Sequence, residues 1–187
     1  MRNAARTAAI VLALTVSTGA AWGAGVSLTL KGGYFLPTDS VFKDAYGGGL
    51  VFGGELAVPV AGALHLWAGA EYYSKKGLTT VTEEEIKAQV VPLYVGIRYH
   101  FGRSGVRPYL GAAAAYFLVK EENPDGSASD SGLGLLGQGG LLFRLGGSVW
   151  LDLFVNYRAC TLTSDGDDPF KTKLDGLSAG LGFVYRF

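Results

Sequence analysis

An all-β fold, an eight-stranded antiparallel up-and-down transmembrane β-barrel, is predicted by three features of the sequence. Eight segments alternate apolar and polar residues with period two, the pattern of strands with one greasy face. The connections between them alternate between short and long, as in barrels with tight turns on one side of a membrane and large loops on the other. No run of 18 apolar residues follows the N-terminal segment, so hydropathy offers no helical span. The 187 residues are one domain's worth of chain. The 29 glycines, one cysteine and 17% charged residues exclude disorder and a disulfide scaffold.

Residues 1–23 read as a cleavable signal peptide and 24–187 as the barrel domain. Arg2 and Arg6 form a basic start, Thr7 to Ala21 is an uncharged apolar run, and Ala21-Trp22-Gly23 supplies the small residues of a cleavage site. Without Arg2 and Arg6 the 16 basic side chains fall to 14 against 16 acidic ones, a net charge of −2. No basic patch calls for nucleic acid, and export separates the chain from cytosolic nucleotides. No cofactor is expected.

The segments run Val26 to Leu36, Leu50 to Val58, Leu64 to Tyr73, Val91 to Phe101, Arg107 to Leu118, Leu133 to Leu145, Val149 to Arg158 and Gly176 to Phe187. The seventh shows the logic. Val149, Leu151, Leu153, Val155 and Tyr157 share one parity, and Trp150, Asp152, Phe154, Asn156 and Arg158 share the other. In the eighth, Leu177, Ala179, Leu181, Phe183, Tyr185 and Phe187 alternate with Ser178, Gly180, Gly182, Val184 and Arg186. A strand so patterned needs a neighbour on each edge, and pairing the eighth with the first closes the barrel. The connections at Pro59 to Ala63, Gly102 to Val106 and Gly146-Gly147 are short. Those at Pro37 to Gly48, Ser74 to Ala88, Val119 to Ser131 and Ala159 to Leu174 read as long polar loops.

Parity does not say whether the greasy side is a soluble core, as in a lipocalin-like barrel, or a lipid coat. Two observations favour lipid. The opposite face is rich in Gly and Ala with isolated charges, which suits a narrow lumen better than a solvated exterior. The greasy face also carries Tyr34, Phe52, Tyr72, Tyr116 and Tyr157 toward the long loops, and Tyr99, Phe101, Phe143, Tyr185 and Phe187 toward the short turns. Two aromatic girdles around an aliphatic band match the two interfaces of a bilayer.

The alternating stretch ending Phe-Val-Tyr-Arg-Phe resembles the terminal strand of bacterial outer-membrane barrels. With the signal, the strand count and the loop asymmetry, the chain resembles the small eight-stranded barrels of the OmpX and OmpA membrane-domain type. Val91-Pro92-Leu93-Tyr94-Val95-Gly96-Ile97-Arg98-Tyr99 and Arg107-Pro108-Tyr109-Leu110-Gly111-Ala112 look like the fourth and fifth strands of the broad outer membrane protein beta-barrel domain family. The resemblance implies residence in the bacterial outer membrane among lipid and lipopolysaccharide. It also implies that the barrel-assembly machinery reads the last strand and Phe187 as an assembly signal.

An eight-stranded interior is filled by side chains, so its charges must neutralise one another. The expected lumen network is Lys31, Glu55, Glu71, Arg98, Arg144, Asp152, Arg158 and Arg186. Within it Lys31 faces Glu55, and Asp152 lies near Arg144 and Arg186, mostly in the periplasmic half. A structural plug is the first reading of this set and a narrow pore for ions or small solutes the alternative. His65 and His100 point inward at the periplasmic mouth, where two imidazoles without an assured third ligand make weak grounds for metal. Lipid A-modifying barrels use a His at the opposite, outer-leaflet end, so an enzyme is the least favoured class, and no catalytic residue is assigned. Gly132 to Gly137 matches a dinucleotide fingerprint by letters only, because it opens no helix. The loops are acidic, and Ser164 to Asp168 lacks the full spaced ligand set of a calcium loop. Cys160 is a lone thiol with no catalytic company. The expected protein is a structural or surface-interactive barrel displaying four loops, with an extracellular ligand at those loops.

Overall fold

The computed structural model describes residues 25–40, 43, 47–78, 85–102, 105–123, 126–163 and 171–187. The signal segment expected over residues 1–23 and the acidic run Ser164 to Asp168 lie outside the described residues.

The described strands are β1 (Ser27–Pro37), β2 (Gly49–Ala61), β3 (Leu64–Leu78), β4 (Glu85–His100), β5 (Val106–Asn123), β6 (Gly126–Gly146), β7 (Val149–Thr163), β8 (Lys171–Lys173) and β9 (Gly176–Arg186). Every pairing is antiparallel between neighbours, and β1 pairs with β9 from Ser27↔Arg186 to Pro37↔Gly176. That pairing closes an eight-stranded cylinder, with β8 a short addition to the outer end of β7. Closure matters because an unpaired backbone group in hydrocarbon costs several kcal/mol.

Parity decides the two faces as expected. Leu153 and Leu181 are 40% and 53% exposed, whereas Asp152, one residue from Leu153, is 1% exposed. The outer wall is Leu, Val and Ile, with Tyr34, Tyr72, Tyr116 and Tyr157 exposed at one end and Tyr99, Phe101, Tyr185 and Phe187 at the other. At the second end the rings pair edge-on, Tyr99 with Phe101 at 4.9 Å and Tyr185 with Phe187 at 5.0 Å. Two of the tight turns rest on left-handed glycines, Gly62 at φ 56° and Gly147 at φ 52°.

The strands overrun the lengths that parity gave. The connection expected over Val119 to Ser131 is mostly ladder, since β5 and β6 pair from Val106↔Phe143 out to Asn123↔Gly126. In the same way β3 and β4 pair out to Leu78↔Glu85. Outside the lipid band neither face of a ribbon meets hydrocarbon, so the apolar alternation that marks a strand disappears while the hydrogen bonds continue.

Inside, large rings rather than small residues fill the space. Phe35, Trp67, Tyr73, Tyr94 and Phe117 form one buried cluster, and Tyr109 and Trp150 belong to a second nearer the turns. The inward glycines make room for them. A Cβ on Gly69 would lie 2.7 Å from the Tyr94 ring, and one on Gly140 would lie 2.6 Å from the Tyr109 ring. Each ring thus lies on backbone that a side chain would lift it from.

Candidate functional site

The site is the lumen, and its first centre is Glu55 on β2. One Glu55 oxygen accepts from Lys31 Nζ at 2.8 Å, from Tyr94 Oη at 3.0 Å and from Gln138 Nε2 at 2.8 Å; the other accepts from Arg98 Nη2 at 2.5 Å. Arg98 also donates to Gln138. Lys31 stands opposite Gly53 in the ladder and reaches Glu55 on the diagonal.

The second centre is Glu71 on β3. It accepts from Asn156 Nδ2 and from Arg158 Nη2, each at 2.6 Å, and Arg158 donates to Ser178 Oγ at 2.6 Å. Lys31 Nζ lies 3.8 Å from Glu71 and so links the two centres. Asp152 takes a third arrangement, with both its oxygens within 3.0 Å of the Tyr109 hydroxyl.

Aromatic faces complete the cations. Lys31 lies 3.9 Å over Phe154, Arg98 lies 4.4 Å over Trp67 and 4.7 Å over Tyr109, and Arg158 lies 4.4 Å over Phe35. Among the described residues the buried charges are Lys31, Arg98 and Arg158 against Glu55, Glu71 and Asp152. These six charges sum to zero. Desolvating six charges is tolerable only with such pairing, since one buried charge left alone costs about 3–5 kcal/mol.

Six of the eight expected network residues therefore meet inside the barrel. Arg144 and Arg186 do not join them: Asp152 lies opposite Leu142 and Gly182, while Arg144 lies opposite Trp150 nearer the turn end. Arg144 is exposed and Arg186 half-buried at that mouth. From the level of Asp152 the contacts run on toward the long-loop end, where Arg158 donates to Ser178. The neutral members Tyr94, Tyr109, Gln138, Asn156 and Ser178 are absent from the expected set. Inward parity marked each of them, but a search for charges passes over amides and hydroxyls.

His65 and His100 stack at 4.2 Å, and His65 Nδ1 lies 3.2 Å from the Ala63 carbonyl oxygen. Among the described residues no group of three or more His, Cys, Asp and Glu could hold a metal ion. Gly132 to Gly137 lies inside β6, so no helix N-terminus follows it. Cys160 is not at a loop start but buried in β7, with its backbone N–H donating to Asp175 at 3.0 Å.

Over residues 6–187 the chain matches the family described as outer membrane protein beta-barrel domain. No curated protein matches it. Among solved structures it is similar to Neisserial surface protein A (NspA), with TM-score 0.62 and 16% identity over 87% of this chain and 97% of that one. It is similar to OprG from Pseudomonas aeruginosa, with TM-score 0.61 and 16% identity over 88% and 97%. A third likeness is to Ail, the attachment invasion locus protein of Yersinia pestis, with TM-score 0.51 and 14% identity over 87% and 99%.

Proposed function

Because the chain belongs to the outer membrane protein beta-barrel domain family and resides in the bacterial outer membrane, we propose that it has a structural and surface-interaction role. In this reading the lumen is plugged by its inward charged and aromatic side chains, and the outer hairpins meet an extracellular ligand. The OmpX and OmpA membrane-domain type is the grouping this role fits.

The observation that carries the reading is the outer part of β5 and β6. Beyond the Tyr116↔Leu133 rung the ladder continues for seven more, from Phe117↔Gly132 to Asn123↔Gly126. At about 3.3 Å per residue that is roughly 23 Å of strand past the girdle. Over the same stretch the other edge of β6 has no β7 partner among the described residues, because that pairing begins at Gly134↔Cys160. Leu133, at 77% exposure, sits at the root of this open edge. An unpaired edge on which Ser129, Asp130, Ser131 and Leu133 are exposed offers an extended partner segment both backbone hydrogen bonds and contacts. That Neisserial surface protein A and an attachment invasion locus protein share the fold is consistent with surface work.

The test replaces residues 120–129 by a two-residue Asn-Gly turn. The shortened protein is expected to keep its heat-modifiable mobility on gels while binding to cell surfaces falls to background. Binding that survives the deletion overturns the role given to the ribbon. Planar-bilayer recording tests the plug: steady channels of nanosiemens size would establish the rival pore. An altered lipid A profile on expression would establish the enzymatic alternative. Recognition of the last strand and Phe187 by the barrel-assembly machinery belongs to the same reading, and Phe187→Ser is expected to lower the amount of folded barrel in the membrane.

A further inference from the structure

Below the neutral network, the turn end of the lumen gathers cations. Arg107 on β5, Arg144 on β6 and Arg186 on β9 line a cavity of about 270 Å³ with Ser148, Trp150 and Phe187. Register puts all three arginines on the inward parity. Arg107 stands opposite Leu142, Arg144 opposite Trp150, and Arg186 two residues beyond Val184, which also faces Trp150. The cavity therefore opens along the barrel axis toward the periplasm.

The guanidinium groups of Arg107 and Arg186 lie 4.7 and 5.1 Å from the centre of the Trp150 ring. The ring face attracts and orients both cations, but it supplies no hydrogen-bond acceptor. None of the three arginines has a carboxylate within ion-pair distance among the described residues. Asp152, two residues along β7 from Trp150, is occupied by the Tyr109 hydroxyl. The Nε atoms of Arg107 and Arg186 are buried with no partner, and so are both ring nitrogens of His100, which stands opposite Tyr109 in the ladder. Like charges converge here on unused donors, and three guanidinium groups in one cavity favour an anionic ligand.

We propose that the periplasmic mouth is a receptor for a phosphate group. Three guanidinium groups suit a tetrahedral dianion, because each planar fork can donate two parallel hydrogen bonds to a pair of its oxygens. The inward placement lets a water-borne phosphate enter along the axis, and the exposed Arg144 on the rim also lies within reach of a phospholipid headgroup bent around the edge.

The experiment titrates inorganic phosphate into the full chain, folded in phosphatidylcholine nanodiscs, by calorimetry at constant ionic strength. Saturable binding is expected, with chloride giving no comparable heat. Arg107→Gln combined with Arg186→Gln is expected to weaken the binding at least tenfold while heat-modifiable folding persists. If that pair fails to fold, Arg144→Gln on the exposed rim is expected to weaken binding several-fold, and Arg144→Lys to recover only part of it. Phosphatidylglycerol in the nanodisc distinguishes the sources. Competition with inorganic phosphate assigns the site to a lipid headgroup, and unchanged binding assigns it to a water-borne phosphate. Heats matching those of chloride, or full affinity in the arginine variants, overturn the proposal.

Discussion

Arg158 and Glu71 meet at 2.6 Å although they stand on β7 and β3, four strands apart around an eight-stranded ring, and 87 residues apart in the chain. The bond therefore crosses the lumen. Asn156 reaches Glu71 along the same path, and Gln138 on β6 reaches Glu55 on β2 by a parallel one. Such struts join opposite walls that share no backbone hydrogen bonds, so they resist ovalisation of the cylinder.

Glu55 is the most heavily used acceptor in this arrangement, and its loss is the sharpest test. Glu55→Gln leaves Arg98 without its anion and Lys31 with only the more distant Glu71, 3.8 Å away, in a dry interior. The folded barrel is expected to lose about 3–5 kcal/mol, read as a fall in the urea midpoint in lipid vesicles. Because these groups are buried, raising the salt concentration is expected to leave the loss nearly unchanged.

Glu71→Gln and Arg158→Gln each strand one buried charge, whereas the double variant strands neither of this pair. The double variant is expected to cost clearly less than the sum of the two single ones in the same unfolding assay. Additive losses would mean that the two side chains act independently.

The outer wall predicts a depth profile. Leu181→Lys, in the rung between Leu153 and Gly32, puts a charge into hydrocarbon and is expected to cost about 2–4 kcal/mol. Tyr185→Lys at the girdle is expected to cost about 0–1 kcal/mol. Equal effects at the two positions would contradict a lipid band at this height.

Gly69 and Gly137 separate the two faces. A Cβ on Gly69 would lie 2.6 Å from the Gly54 carbonyl oxygen and would push Tyr94 away from Glu55, so Gly69→Ala is expected to lower the folded yield or cost about 1–3 kcal/mol. Gly137 has nothing within 4 Å of such an atom, and Gly137→Ala is expected to be silent in heat-modifiability and in the urea midpoint.

The fold was legible because a bilayer imposes a rule that each residue obeys separately. Period two sets Leu153 and Asp152 on opposite faces, the aromatic girdles and the Gly- and Ala-rich second face turn Leu153 outward, and the same parity then places Tyr94, Tyr109, Gln138 and Asn156 in the lumen. The extent of β5 and β6 was not legible, since residues beyond Leu118 leave the hydrocarbon and no longer need an apolar face. The partners inside were not legible either. Lys31 meets Glu55 at 2.8 Å, a pair that register suggests, yet Asp152 pairs with the Tyr109 hydroxyl instead of with Arg144 or Arg186.

The sequence by itself determined the two faces of each strand, because burial repeats locally every second residue; the aromatic girdles turned the apolar face to lipid, and the need to cover both edges paired the first strand with the last. Only the tertiary structure decided which inward groups touch. Contact across a closed cylinder depends on the stagger of strands distant in the chain and on the reach of long side chains, and neither quantity is written in any one strand.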